Sequence, residues 1–177
     1  MQLYSDRIYH IYNRSINREI IYRNPANYHL FIRKLIGIGT QWDLQAYCLM
    51  PTHFHLLVRI LTGEQDILRR RIGDLLSGYT KAINHKFGRT GSLFQQHTKA
   101  KMISSPVYLR MVLHYIHQNP VRAGMCRELG EWPFSSYLDY CGFRRGGIVR
   151  GDLVYELFGS VADFIAESEQ MIDVVHL

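Results

Sequence analysis

Two histidines, His53 and His55, are the first side chains in the chain whose type and spacing could do chemistry. They lie in residues 50–59, an apolar stretch with the composition of a buried strand. Because side chains alternate across a strand, both imidazoles lie on one face. Two neutral imidazoles held side by side can bind one divalent cation. The alternative is a pair of polar residues at the start of a strand, near Pro51 and close to water, that binds no metal.

A third ligand and a reactive hydroxyl are offered by one helix. Only one of the 12 tyrosines, Tyr115, lies in a predicted helix with an Asn or Gln four residues later, at Asn119. Residues four apart are neighbours on a helix surface. A metal held by His53, His55 and the Asn119 carbonyl would keep open positions, and such a ligand set suits Mg²⁺ or Mn²⁺ acting on a phosphate. The Tyr115 hydroxyl would then lie beside the metal and could form a covalent phosphoryl-enzyme.

Four predicted strands and three predicted helices must position these groups, in the order β-α-β-β-α-β-α. The strands are expected over residues 7–13, 44–49, the His-x-His stretch and residues 93–103. The second and third strands are expected to pair as a hairpin. This order matches the split β-α-β pattern of a ferredoxin-like antiparallel sheet, which predicts an α+β fold. The last helix is then an addition that is free to lie near the His-x-His strand.

Capping and breaking residues set the limits of the helices. The first helix is expected to begin at Asn24-Pro25 and to end before Gly37. The second follows a capping box at residues 62–65 and ends at Gly88. The third is capped by Ser105 and ends at Pro120. Its His114 and His117 fall on the flank away from Tyr115, so they are not predicted ligands. A further helix is expected after Ser160, over residues 161–171.

Composition bounds the class of protein. The chain has 177 residues, 47% hydrophobic and 20% charged, as in an ordinary globular domain. No apolar run approaches the roughly 20 residues of a membrane span, and the N-terminus lacks a signal-peptide core. Three widely spaced cysteines fit reduced thiols rather than a zinc site. These features predict a cytoplasmic protein with no membrane partner.

The charge is divided unevenly along the chain. Residues 152–177 hold six acids and no Lys or Arg, while the first 151 residues hold all 21 Lys and Arg and the other nine acids, a net +12. A basic field of this size favours a polyanion, and nucleic acid is the first candidate. The alternative is a solvated basic face with no partner. The candidate DNA-binding side chains in the most basic region are Arg69, Arg70, Arg71, Lys81, Lys86, Lys99 and Lys101.

Several motifs, taken together, resemble those of the REP-associated tyrosine transposases. These belong to the wider transposases with an HUH (His-hydrophobic-His) motif and one tyrosine, which act on single-stranded DNA. The matching stretches are Tyr9-His-Ile-Tyr-Asn-Arg14, Met50-Pro-Thr-His-Phe-His-Leu-Leu-Val58, Gly91-Ser-Leu-Phe-Gln95, Tyr115-Ile-His-Gln-Asn-Pro-Val-Arg-Ala-Gly124 and Trp132-Pro-Phe-Ser-Ser-Tyr137. The motifs come in family order over about residues 6–140. An HUH transposase catalytic domain is therefore expected over residues 1–141. The Gly/Arg loop and acidic tail, 142–177, belong to the same domain or form an appendage.

The resemblance implies roles for the site residues. It makes His53 and His55 metal ligands, Tyr115 the nucleophile, and Asn119 the residue that completes the metal site. Asn rather than Gln at that last position points to the REP-associated branch.

The resemblance also implies a substrate and a reaction. The substrate is single-stranded DNA folded as a hairpin, nicked and rejoined through a 5′-phosphotyrosine. Arg14 and Arg122 are then candidate phosphate contacts, although each could equally pair with a surface acid. Two other functions stay open, a non-catalytic DNA-binding protein and a metal-dependent nuclease that uses water. A homodimer is possible, and no residue decides it.

Overall fold

A four-stranded sheet organises the protein. The structure is a computed structural model that describes residues 2–61, 65–144, 147–149 and 152–172. The strands are β1 (Ile8–Arg14), β2 (Trp42–Met50), β3 (His53–Ile60) and β4 (Lys99–Met102), in the order β2-β3-β1-β4. Every neighbouring pair is antiparallel, so β1 and β2 run parallel with β3 between them. This is the split β-α-β arrangement, and it confirms the predicted α+β, ferredoxin-like fold.

Two helices, α1 (Pro25–Ile36) and α2 (Gln65–Phe87), cover one face of the sheet. Asn24 caps α1 by accepting a hydrogen bond from the Asn27 amide, as the sequence predicts. Phe31 of α1 contacts Phe54 of β3 and Tyr79 of α2, with ring centroids 5.3 and 5.2 Å apart. The apolar face of the His-x-His strand therefore forms the centre of the core. The capping box predicted at residues 62–65 lies outside the described residues.

A third helix, α3 (Pro106–Arg122), lies on the other face of the sheet and carries Tyr115 to His55. Ser105 caps it, but the prediction that Pro120 ends it is wrong, because the helix continues to Arg122. A proline lacks the N–H donor and its ring crowds the carbonyl four residues earlier, but the amides that follow it can still donate. Beyond it, the Ala123 amide still donates to Asn119 O at 3.0 Å, and the Met125 amide donates to Pro120 O at 2.9 Å.

The fourth strand is shorter than predicted. The sequence suggests residues 93–103, whereas β4 holds only Lys99–Met102, paired with β1. Leu93 and Phe94 are apolar because they fill the core, where they are 1% and 4% exposed, and not because they extend the strand. The Gln95 amide donates to Arg14 O at 2.9 Å, so this segment follows the end of β1 toward the site.

The segment around residues 132–137 closes the free edge of β2. The Leu49 amide donates to Phe134 O, and the Ser136 amide donates to Tyr47 O, each at 2.9 Å. Trp132 donates its indole N–H to Leu49 O. An uncovered edge strand is a template for wrong pairing, and this motif satisfies its backbone groups.

Three short helices end the described chain, namely α4 (Tyr137–Tyr140), α5 (Asp152–Phe158) and α6 (Val161–Ser168). The helix predicted after Ser160 is confirmed, capped by Ser160 and ending three residues early, whereas α5 was not predicted. Phe164 of α6 is fully buried against His117 and His114 of α3. No helix in the described part of the chain is long and apolar enough to cross a membrane. The division of the chain at residue 141 stays a prediction.

Candidate active site

The pairing of β1 with β3 builds the floor of the site. His53 pairs with Arg14 and His55 pairs with Tyr12 across the two strands. Directly paired residues share a face of the sheet, so these four side chains lie together. His10, two residues before Tyr12, lies on the same face. The spacing in the sequence predicted the common face of the two histidines but gave no sign of what β1 would place beside them.

Each histidine uses its Nδ1 atom for a neighbour in the protein. His53 Nδ1 is 3.2 Å from Thr52 Oγ1, and His55 Nδ1 is 2.8 Å from His10 Nε2. The other ring nitrogens, the Nε2 atoms, are then the candidate metal-binding atoms. His53 Nε2 is 3.4 Å from Asn119 Oδ1, and the two histidine rings are 5.1 Å apart. One imidazole nitrogen and an amide oxygen therefore meet, and the second imidazole ring lies beside them.

Tyr115 lies over this floor. Its half-buried ring meets His55 edge-on, at a centroid distance of 5.4 Å. One turn later, Asn119 donates its amide hydrogen to Tyr115 O at 2.8 Å, which leaves the amide oxygen for His53. The structure thus brings together the four predicted site residues, and their roles stay predictions.

Burial sets the charge of the site groups. It lowers the pKa of His53, which the hydrogen bond with Asn119 opposes, and it holds the pKa of His55 well below its ordinary value. Both imidazoles are therefore neutral at pH 7, the form that binds metals. Burial raises the pKa of Tyr115, against the effects of Asn119 and of the Arg122 charge. The Tyr115 hydroxyl keeps its proton at neutral pH and must lose it during any attack.

The donor set fits a divalent metal only when the amide is included. No three His, Cys, Asp or Glu side chains come together as a metal site within the described ranges. With Asn119 the site would offer a metal two nitrogen donors and one oxygen donor. Mixed ligands of this kind suit Mn²⁺ better than Mg²⁺, since manganese accepts imidazole more readily.

A cavity of about 410 Å³ opens beside these groups. It is lined by Tyr12, Asn13, Arg14, Ser15, Arg18, Thr52, His53, His55, Gln95, His97, Lys99 and Tyr115. Three of these residues are cationic and none is acidic, so the cavity favours an anionic ligand. Arg14 and Lys99 were predicted DNA contacts.

Seven lining residues were not predicted as site residues, namely Tyr12, Asn13, Ser15, Arg18, Thr52, Gln95 and His97. Four of them, Tyr12, Asn13, Thr52 and Gln95, lie inside the recognised motifs, which were the available signal. Arg18 is different, because its backbone is left-handed, with φ 55°, and so is that of Asn17, with φ 52°. Such conformations are costly away from glycine and collect at functional sites. No sequence pattern signals this loop.

The remaining predicted DNA contacts lie outside the cavity. Arg69, Arg70 and Arg71 are exposed near the start of α2, about 24 Å along the helix from Phe87. Lys81 and Lys86 are exposed further along α2.

Two others have partners within the protein. Lys101 is exposed on β4, with its ammonium 5.1 Å from the Tyr108 ring. Arg122 donates from Nη1 to Ile172 O at 2.9 Å, so in this structure it holds the tail. None of these contacts tests a role in DNA binding.

The fold and the site together define a class of protein, in which a His-x-His strand of a ferredoxin-like sheet faces a tyrosine on an added helix. No protein-family model matches the chain. In sequence it is similar to two curated proteins, both described as REP-associated tyrosine transposases. The Haemophilus influenzae protein is 29% identical over 105 residues, 54% of this chain and 59% of its own length. The Escherichia coli protein is 24% identical over 125 residues, 71% of this chain and 68% of its own length.

The fold is similar to a solved structure of a REP-associated tyrosine transposase bound to a REP hairpin. The TM-score is 0.66 at 17% identity, and the match covers 84% of this chain and 90% of that one. At that identity the match shows the fold. The resemblance found in the motifs is thus confirmed by similarity in both sequence and fold.

Proposed function

We propose that this protein is a metal-dependent tyrosine transposase that nicks and rejoins single-stranded DNA. One observation carries the proposal. His53 and His55 of β3 line one cationic cavity with Tyr115 of α3, although β3 and α3 are far apart in the chain, and Asn119 of α3 contacts His53. The similarity to REP-associated tyrosine transposases supports the same class of reaction.

The reaction begins when the Tyr115 oxygen attacks a DNA phosphorus. The oxygen–phosphorus bond forms, the bond from phosphorus to the 3′ oxygen breaks, and the products are a 5′-phosphotyrosine and a free 3′-hydroxyl. The tyrosine proton leaves to solvent, and the departing 3′ oxygen takes up a proton. A divalent cation bound by the two histidines and Asn119 would neutralise charge on the phosphate. A 3′-hydroxyl can later attack the phosphotyrosine and restore Tyr115, so joining needs no external energy.

The proposed substrate is single-stranded DNA that folds into a hairpin. The solved relative is bound to a REP hairpin, which supports this choice. Arg14, Arg18 and Lys99 line the cavity, and their positive charges favour a phosphate chain. Phosphate contacts of this kind position the strand without reading its sequence.

The nucleophile is tested by trapping the covalent intermediate. Wild-type protein mixed with a single-stranded hairpin and Mn²⁺ should give a shifted band on a denaturing gel. Tyr115→Phe should abolish the band while leaving the melting temperature and DNA affinity near wild type. Tyr12→Phe is the matched control, because this tyrosine lines the same cavity with its ring 5.8 Å from His55. An adduct that survives in Tyr115→Phe and disappears in Tyr12→Phe would move the nucleophile to Tyr12.

The metal is tested with His53→Ala and His55→Ala. Each should remove cleavage and weaken Mn²⁺ binding measured by calorimetry. Full activity in a chelator would rule out metal dependence. Cleavage without any covalent adduct would favour the water-using nuclease, and DNA binding without cleavage would favour the non-catalytic DNA-binding protein.

A further inference from the structure

His55 belongs to a second histidine pair, which it forms with His10 of β1. His10 and His55 are 5% and 6% exposed, and His10 Nε2 is 2.8 Å from His55 Nδ1. Their ring planes are inclined by only 28° and their centroids are 5.0 Å apart, as expected for two rings that meet edge to edge through their nitrogens. A contact this short between two ring nitrogens is a hydrogen bond, so one nitrogen carries the hydrogen and the other accepts it.

Neighbouring rings hold His10 in this position. The Tyr12 ring is 4.8 Å from the His10 ring and the Tyr115 ring is 6.0 Å from it. His10 is also fixed by the backbone of β1, where it pairs directly with Leu57 of β3. The imidazole is therefore a built part of the site, although it does not line the cavity.

The hydrogen bond has two possible directions, with opposite consequences. If His10 Nε2 donates, His55 Nδ1 is the acceptor, and the hydrogen of neutral His55 must then be on Nε2. That tautomer has no lone pair for a metal. If His55 Nδ1 donates to His10 Nε2, the His55 Nε2 lone pair is free. In known metal sites the ligating histidine commonly donates its other N–H to a fixed acceptor.

We propose that His10 is a positioning residue that accepts the Nδ1 hydrogen of His55 and so keeps His55 Nε2 ready to bind a metal. The inference rests on the proposed function, which identifies the group bound at His55 Nε2 as a metal ion. His53 has no such fixed acceptor at Nδ1, because Thr52 Oγ1 at 3.2 Å can either donate or accept. Its Nε2 faces the Asn119 amide oxygen at 3.4 Å, which can only accept, so the contacts of the two histidines differ.

The direct test is the tautomer of His55 in metal-free protein. Nitrogen-15 NMR of the imidazole nitrogens should show His55 protonated at Nδ1 in the wild type. His10→Phe keeps a ring of similar size but removes the acceptor, so His55 should shift toward the Nε2-protonated form. His10→Gln places an amide oxygen near the lost Nε2 and should restore the Nδ1-protonated form. An Nε2-protonated His55 in the wild type would overturn the proposal, even if no variant folds.

Mn²⁺ affinity is the second readout. His10→Phe should weaken Mn²⁺ binding by about 10- to 100-fold, the usual effect of losing such a partner, and His10→Gln should recover most of it. His114→Phe is the control, since His114 is another buried imidazole but faces Ser168 of the tail. Its Mn²⁺ affinity should equal that of the wild type. Equal affinity and equal tautomer in His10→Phe would overturn the proposal. If wild-type His55 is protonated at Nδ1 but binds no Mn²⁺, the proposed metal function fails while the role of His10 in setting the tautomer stands.

Discussion

Asn119 serves two partners at the site, because the two ends of its amide face in different directions. Its nitrogen donates to the Tyr115 carbonyl one turn earlier, and its oxygen lies 3.4 Å from His53 Nε2. The first bond orients the second contact. This side chain therefore links the tyrosine helix to the His-x-His strand.

His117 gives a prediction about pH at the scale of one residue. It is fully buried, its Nε2 is 2.8 Å from Ser136 Oγ, and burial, with a smaller effect from His114, lowers its pKa to about 3. Between roughly pH 6.5 and 3 the unfolded chain holds a proton there that the folded protein does not. The free energy of unfolding must therefore fall as the pH falls, by up to about 1.4 kcal/mol per pH unit from this residue.

His117→Gln removes the titration and keeps a group that can bond Ser136. Urea unfolding at pH 7, 6 and 5 should show that the stability of the wild type falls faster than that of the variant. Subtracting the two curves cancels the contributions of the other buried histidines. Parallel curves would show that the pKa of His117 is not lowered in the folded protein, so that the folded chain takes up the proton as readily as the unfolded chain.

At this scale the sequence predicted four side chains that meet at the candidate site and missed others that contact them. Tyr115 and Asn119 could be found because four-residue spacing has one meaning on a helix. His10 could not, because its importance comes from the register of β1 against β3, which no local pattern sets.

The loop after β1 is the element that completes the cavity. The Ser15 amide donates to Thr52 O at 2.8 Å and the Ile16 amide donates to Leu93 O at 3.1 Å, while Glu19 pairs with Arg89 at 2.8 Å. These anchors on both sides hold Arg18 in its left-handed conformation at the cavity. The loop is therefore expected to present its guanidinium to a phosphate without prior rearrangement.

Arg18→Ala should weaken binding of a short single-stranded oligonucleotide and reduce the slope of log affinity against log salt by about 0.7, the value for one lost phosphate contact. Arg33→Ala is the matched control, because Arg33 is exposed on α1, on the other face of the sheet. Fluorescence anisotropy across a salt series measures both. Equal effects of the two substitutions would mean that Arg18 acts only through net charge.

The basic end of α2 gives a prediction that depends on DNA length. Arg69, Arg70 and Arg71 are exposed on α2 and are not among the residues that line the cavity. Their joint replacement by Ala should weaken binding of a long hairpin and flatten its salt dependence. It should leave a short oligonucleotide that fills only the cavity unaffected. An unchanged salt slope for the hairpin would make the triplet an ordinary solvated face.

Element limits were predictable where local rules act alone. Asn24 and Ser105 cap their helices as expected, since an N-cap is a contact within one turn. The expectation that a proline ends a helix failed at Pro120, because hydrogen bonds formed beyond the proline close the end of the helix. The apolar pattern also failed at residues 93–98. It assigned these residues to a strand, but their apolar side chains are buried in the core.

Over the whole molecule, the described part of the acidic tail is attached to the back of the tyrosine helix. Gln118 is fully buried and uses both ends of its amide on the tail backbone, donating to Ser168 O and Gln170 O and accepting from the Ile172 amide. Arg110 pairs with Glu167 of α6. The sequence left two alternatives for this tail, a segment over the site that competes with DNA or a helix that covers the core. The contacts that the tail makes through residue 172 are those of a segment that covers the core.

Removal of residues 152–177 tests this arrangement. The truncated protein loses the burial of Phe164 and leaves the Gln118 amide without its tail partners, so its melting temperature should fall by several degrees. If the tail is a cover, the affinity of the folded fraction for single-stranded DNA should stay unchanged at low salt, where charge effects are least screened. A gain in affinity that is largest at low salt would instead show that the six acids compete with DNA. Phe164→Ala serves if the truncated chain does not fold, because it loosens the tail without changing the charge. It should lower the melting temperature in the same direction, and a rise in DNA affinity in this variant would likewise contradict the cover.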